Sequence, residues 1–249
     1  MKFRISAAVL AFTIGGAGVA VADETETGND DAQRETELVR ARITGGPDAP
    51  APGLGASVQG GWGGARAQAI GALTAEGLVL GKITLRAGVQ VDVGKTRPTA
   101  SASYEIFDPY SHAVGLLVGV AYKPEGLTEG EGEVEGTVAA SRRIGRGIAS
   151  ASITYGQDPD FNEHDGEIAL AAVEPVAKGV AFGGVTRARS GLGSSKDLGA
   201  KWDGLAGAVA RMQVEEMTVT AVAGTEIVGL DQGGTKLGFL GTLSVGAWW

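Results

Sequence analysis

The final stretch of this chain admits one regular structure. Leu237, Phe239, Gly241, Leu243, Val245, Ala247 and Trp249 occupy one set of alternate positions, and Lys236, Gly238, Leu240, Thr242, Ser244, Gly246 and Trp248 the other. Successive side chains of a strand point to opposite sides, so this is a ribbon with one greasy face that ends on an aromatic. The segment KITLRAGVQVDVG repeats the pattern. Ile83, Leu85, Ala87, Val89, Val91 and Val93 alternate there with Lys82, Thr84, Arg86, Gly88, Gln90 and Asp92. A helix would scatter these residues around its axis; period 2 means strand.

The alternation recurs over 99–106, 131–138, 149–155 and 217–227, and less sharply over 114–122, 167–173, 180–189 and 205–212. Connections alternate too. Those at 107–112, 142–146, 174–179 and 213–216 are short, while 94–98, 123–132, 156–165, 190–203 and 229–234 are longer or more polar. A chain closing on a one-sided strand with a terminal aromatic, carried here by Leu243, Val245 and Trp249, resembles the Gram-negative outer-membrane β-barrel proteins, where that strand is the insertion signal. The resemblance is to the class, porin-like in kind, and to no single family within it. It implies an all-β fold, an antiparallel transmembrane up-and-down barrel with tight periplasmic turns and longer outer loops. It also implies the bacterial outer membrane as location, with that membrane's lipid and the barrel-assembly machinery as partners. Eleven clear segments count back from the last strand. A barrel with both ends inside needs an even number, which places one more strand around residues 38–45, so about twelve strands are expected, with ten the next choice.

The other end of the chain agrees. Lys2 and Arg4 precede an apolar run from Ile5 to Val21, and Ala20-Val21-Ala22 is a small-x-small cleavage site ahead of Asp23. Residues 1–22 read as a cleaved secretory signal peptide, residues 23–37 as an acidic flexible tail, and residues 38–249 as the barrel domain. The chain has no Cys, hence no disulfide framework. Its formal net charge of −8 argues against nucleic acid as a partner, because phosphate binding needs clustered Lys and Arg. No segment after residue 22 approaches the ~18 consecutive apolar residues of a transmembrane helix, so a membrane would be crossed in strands. Gly is abundant, 42 residues, as curved barrel walls require. Trp62, Phe107, Tyr110, Tyr122, Tyr155, Trp202, Trp248 and Trp249 fall near strand ends, where interfacial girdles sit. Aromatics amount to only 6%, which favours the alternative of a soluble periplasmic β-protein with its apolar face turned inward.

The polar faces carry the candidate chemistry. Arg66, Arg86, Asp92, Glu105, Glu133, Glu135, Arg187, Glu226 and Lys236 would line a pore. Small residues between them suggest an interior that is not fully plugged, so mixed charges would sort solutes by charge. The period-2 run Glu129, Glu131, Glu133, Glu135 would stack carboxylates from loop to lumen and favour cations; as a solvated loop face it would do neither. The loop oxygens of Asp158, Asp160, Asn162 and Glu167 form a weak calcium candidate, with Glu163 where an EF-hand loop has Gly. Catalysis would have to use His112 or His164, and no G-x-S-x-G motif is present, so no enzyme and no cofactor is expected. The expected function is passive passage of small hydrophilic solutes or ions. The alternative is a non-conducting barrel with a structural or surface-interaction role.

Overall fold

A computed structural model describes residues 54–63, 68–79, 82–92, 95–109, 111–123, 133–158, 164–191, 202–214, 217–229 and 234–248. Among them run twelve strands: β1 (Leu54–Gly63), β2 (Gln68–Val79), β3 (Ile83–Asp92), β4 (Lys95–Phe107), β5 (Gly115–Lys123), β6 (Glu133–Ile144), β7 (Gly147–Gln157), β8 (His164–Ala177), β9 (Val180–Gly191), β10 (Trp202–Val214), β11 (Met217–Gly229) and β12 (Thr235–Trp248). Each pairs antiparallel with its chain neighbours. β12 then pairs with β1, from Gly55 opposite Trp248 to Gly63 opposite Leu240, and the sheet closes into a barrel.

The all-β, up-and-down barrel expected from the alternation is what the chain forms, with twelve strands. The strand that completes the even number is Leu54–Gly63; residues 38–45, where it was expected, lie outside the described residues, as do the signal peptide and acidic tail at 1–37. The expected connection at 94–98 is a further correction. Lys95 opposes Asp92 directly, and β4 runs from Lys95 through Pro98, which faces Val89. Its polar start hides the alternation from a hydrophobicity reading. Likewise β8 continues past Pro175 with a register shift before Ala177, because a proline has no N–H for the ladder.

The two faces are inverted relative to a soluble protein. On β7, Ile153 is 65% exposed on the outside, whereas the neighbouring Ser152 is 3% exposed on the inside. Val138, Ile168, Leu170, Leu237 and Phe239 also point outward and are exposed; Thr137, Thr154, Glu167, Thr220 and Ser244 point inward and are buried. A soluble sandwich would do the opposite, and this distribution sets that alternative aside. An apolar outer surface of this kind belongs against lipid. Both ends of the strand series, Leu54 and Trp248, lie at the end of the barrel that carries the tight turns. Gly145 makes the β6–β7 turn with a φ of 61°, a conformation that costs a side-chain-bearing residue energy. Phe107 is exposed beside the turns, and Tyr155 and Trp202 beside the loops, as interfacial aromatics would be; Tyr122 is half-buried. Tyr110 and Trp249 lie outside the described residues, and for Trp62 and Trp248 the description stops at the backbone.

Because β7 crosses its pairs with Val138 and Ile168 at Ile153, well inside the strand, a charge there would sit in hydrocarbon. Ile153→Arg is expected to lower stability by about 2–4 kcal/mol in denaturant titrations from lipid vesicles. An unchanged unfolding transition would place this face away from lipid.

Candidate functional site: the charged mouth of the barrel

Inward positions are layered by height. At the end that carries the long loops lie six carboxylates, Glu133 and Glu135 on β6, Asp165 and Glu167 on β8, Asp203 on β10 and Glu226 on β11, around Arg187 and Arg189 on β9. The ladder register brings them to one level. Glu167, Arg189 and Asp203 share one hydrogen-bonded row across β8, β9 and β10, and Arg187, Leu205 and Glu226 follow on the next row down.

Each guanidinium serves several acids. Arg189 Nη2 donates to Glu133 Oε2 at 3.0 Å and also contacts the Asp165 carboxylate, which its Nε reaches as well. Arg187 Nη2 donates to Asp203 Oδ1 at 3.0 Å, while its Nε lies 3.7 Å from Glu167 and Nη2 lies 4.0 Å from Glu226. The first group is drier, since Arg189 keeps only 10% of its side-chain exposure against 25% for Arg187. Planar guanidinium groups suit this sharing, because one fork serves two carboxylates at once. Glu133 reaches Arg189 by lying over β7. A Cβ on Gly156 would stand 1.5 Å from Glu133 Oε1, so the bare backbone of Gly156 is the floor on which that carboxylate rests.

Below the mouth the wall divides into sectors. β6 and β7 present hydroxyls, among them Thr137 and Thr154, whose Oγ1 atoms hydrogen-bond at 2.8 Å across the pair. From β7 to β11 a patch of the inner wall is apolar, with Ile148, Val173, Ala181, Val209 and Val222 in one buried cluster. Arg211 lies near the turn end, its Nη2 donating to Thr218 Oγ1 at 3.1 Å.

Of the expected pore-lining residues, Glu133, Glu135, Arg187 and Glu226 meet at the mouth. Arg86 faces inward on β3, half-buried, and Glu105 is buried at the turn end, where its N–H donates to the Lys82 carbonyl at 3.0 Å. Lys236 is exposed at the start of β12, opposite Val228. Asp92 is placed by its backbone alone, and Arg66 lies outside the described residues. Of the calcium candidates, Asp160 and Asn162 lie outside the described residues; Asp158 follows β7, and Glu167 faces Arg187 instead. In the expected insertion signal, Leu243 points outward from β12 and Val245 shares its face, while Trp249 lies outside the described residues. Reasoning from sequence missed Arg189, Asp203 and Arg211. Period 2 from Arg187 would have found Arg189, whereas Asp203 was read as loop and Arg211 lay in a strand apolar on both faces.

The chain matches no family model and no curated protein sequence. Its fold is that of solved outer-membrane porins. The NanC porin aligns with a TM-score of 0.59 at 11% identity, covering 78% of this chain and 99% of that one. The KdgM porin aligns with a TM-score of 0.56 at 7% identity over the same shares, 78% and 99%. A second KdgM structure, in complex with disordered oligogalacturonate, gives 0.51 at 8% identity, again over 78% and 99%. At these identities the likeness establishes the architecture, a Gram-negative outer-membrane type of β-barrel, and leaves the contents of the lumen to be read from this chain.

Removing Arg189 would strand Glu133 and Asp165 as buried, like-charged neighbours. Arg189→Met is expected to destabilise the barrel by about 3–5 kcal/mol in detergent unfolding experiments. Adding Glu133→Gln and Asp165→Asn should restore most of that loss. Additive losses across the three substitutions would show that the groups do not act together.

Proposed function

We propose that the protein is a bacterial outer-membrane barrel that passes small hydrophilic solutes or ions passively, with a preference for cations. The observation that carries this reading is the composition of the mouth, six carboxylates around two arginines on inward faces of one closed barrel. A ring of net negative charge in a low-dielectric wall raises the local concentration of cations and repels anions. One porin of this fold was solved with oligogalacturonate, an acidic polymer; the present mouth carries the opposite preference to one that would admit such a chain. Its partners on this reading are outer-membrane lipid, the barrel-assembly machinery and small solutes, with no nucleic acid and no cofactor.

The proposed role is not enzymatic. Ser111 Oγ donates to Asp108 Oδ2 at 2.8 Å, and His112 Nδ1 lies 3.2 Å from the Asp108 carbonyl, so both residues serve the β4–β5 turn and make no nucleophile–base pair. A second reading, a barrel with a structural or surface role and no conduction, is favoured by one observation. Val209 and Val222, inward at mid-height, and Ala181, inward nearer the turns, are almost wholly shut off from solvent, which suits an interior filled by side chains.

Single-channel recording of refolded protein separates the two. Defined conductance steps, with a reversal potential in a salt gradient on the cation-selective side, are the expected result. Glu135→Gln with Glu226→Gln should move that potential toward zero. A silent bilayer would support the filled barrel, and anion selectivity would overturn the charge argument.

A further inference from the structure

The outer face of the barrel carries a groove that neither reading uses. It has a volume of about 690 Å³ and lies across β6 to β10, with Arg142 as the charged residue in its lining. The register explains its shape. Ala149 opposes Ala172, which opposes Gly184, and this row begins at Arg142. The adjacent row toward the loops runs Ala140, Ala151, Leu170, Thr186 and Ala206, with Leu170 standing up from it. Small side chains thus make a floor that is continuous along the Arg142 row and is broken by Leu170 in the row beside it.

Larger side chains make its walls. On the loop side Val138, Ile153 and Ile168 occupy one row and are all more than half exposed. On the turn side Ile144 and Phe182, also more than half exposed, flank the floor, with the exposed Glu174 between them in the same row. The result is a groove between largely apolar banks, on a surface that faces lipid. At its β6 end stand Arg142, Arg143 and Arg146, all exposed, around the β6–β7 turn of an otherwise acidic protein. An arginine at the end of a membrane strand buries its stem in hydrocarbon and carries its charge to the headgroup level. Basic residues at that level attract anionic lipid.

We propose that this groove binds an anionic phospholipid of the leaflet at the turn end. One acyl chain lies along the floor of alanines and Gly184, and the phosphate is held by Arg142 with Arg146 beside it. Charge complementarity selects this occupant over a second copy of the chain, which would set the same arginine cluster against itself across a two-fold axis.

The test uses the refolded full chain in nanodiscs or detergent containing phosphatidylglycerol or phosphatidylcholine, with retained lipid counted by native mass spectrometry. Phosphatidylglycerol is expected to be retained over phosphatidylcholine, and Arg142→Gln to weaken that retention about fivefold. Ala172→Phe, which fills the floor without altering charge, should abolish retention of the tightly held lipid. Both variants face lipid, and heat-dependent gel mobility will show that each still forms the barrel. Equal retention of the two lipids, or retention untouched by both substitutions, would overturn the proposal. A lipid-independent dimer abolished by Ala172→Phe would overturn it in favour of a subunit interface.

Discussion

A sheet surrounded by hydrocarbon has no water to complete its backbone hydrogen bonds, so it must leave no edge. In this chain that demand is met by one ladder, β12 against β1, from Gly55 opposite Trp248 to Gly63 opposite Leu240. Everything else follows from closure. A closed wall has a continuous outside and inside, so every strand must keep its alternation in phase with its neighbours. An even strand number returns the chain to the end where it started, and the longest loops gather at the other end, although β3 and β4 join there through 93–94 alone. A slip of β7 by one residue against its neighbours would turn Ile153 inward and Ser152 to lipid.

The two ends of such a barrel are held by different means. At the turn end adjacent strands are joined by a few residues, and the chain itself limits how far they separate. At the loop end the connections of β6 to β11 are long and set no such limit, and there the wall places its ion pairs. Arg189 on β9 contacts Asp165 on the adjacent β8 and reaches Glu133 on β6, across β7 between them. Arg187 joins β8, β10 and β11 in the same way. Five strands are therefore tied by two guanidiniums at the level where the long loops emerge. The tie across β7 depends on Gly156, since any side chain there would occupy the place of the Glu133 carboxylate. The same groups hold the mouth and set its charge, so selectivity and local rigidity cannot be altered independently.

The alternation in β3, β6, β7, β11 and β12 was legible in the sequence because their inward faces are polar and their outward faces apolar. β8, β9 and β10 blurred because both faces are apolar in part, Ala171, Val173, Val185 and Val209 inward against Leu170, Phe182 and Met212 outward. A half-polar lumen erases the signal that a hydrophobicity pattern relies on. That sector also hid Arg189 and Arg211. The strand at Lys95 was read as loop because an inward face near the mouth is as polar as a loop. Glu133 and Glu135 were found by parity, but their partners were not, because Arg189 comes from a strand two removed and no local spacing encodes that meeting. Apart from Arg187 on the blurred β9, the described residues legible as lumen were those whose own strand alternates cleanly; the network between them is a property of closure.

The outer face is freer than the inner one, and that freedom makes its pattern informative. A lipid-facing residue has no protein partner to fit, so bulky and small side chains there are under no common packing demand. Random scatter would give an even coat of Val, Leu, Ile and Phe broken by single alanines. Instead the small residues of five strands align along the Arg142 row and, apart from Leu170, along the row beside it, with larger side chains on either side. Among the described residues, outward positions in the middle of strands carry no charge, so the outward arginine at the end of one of these rows marks a definite depth. Inside, carboxylates are stabilised by arginines fixed in the wall. Outside, Arg142 stands at the lipid-facing end of its row, with Glu174 one row nearer the turns on β8, and the groove that starts from that arginine has room for the chain of an anionic lipid.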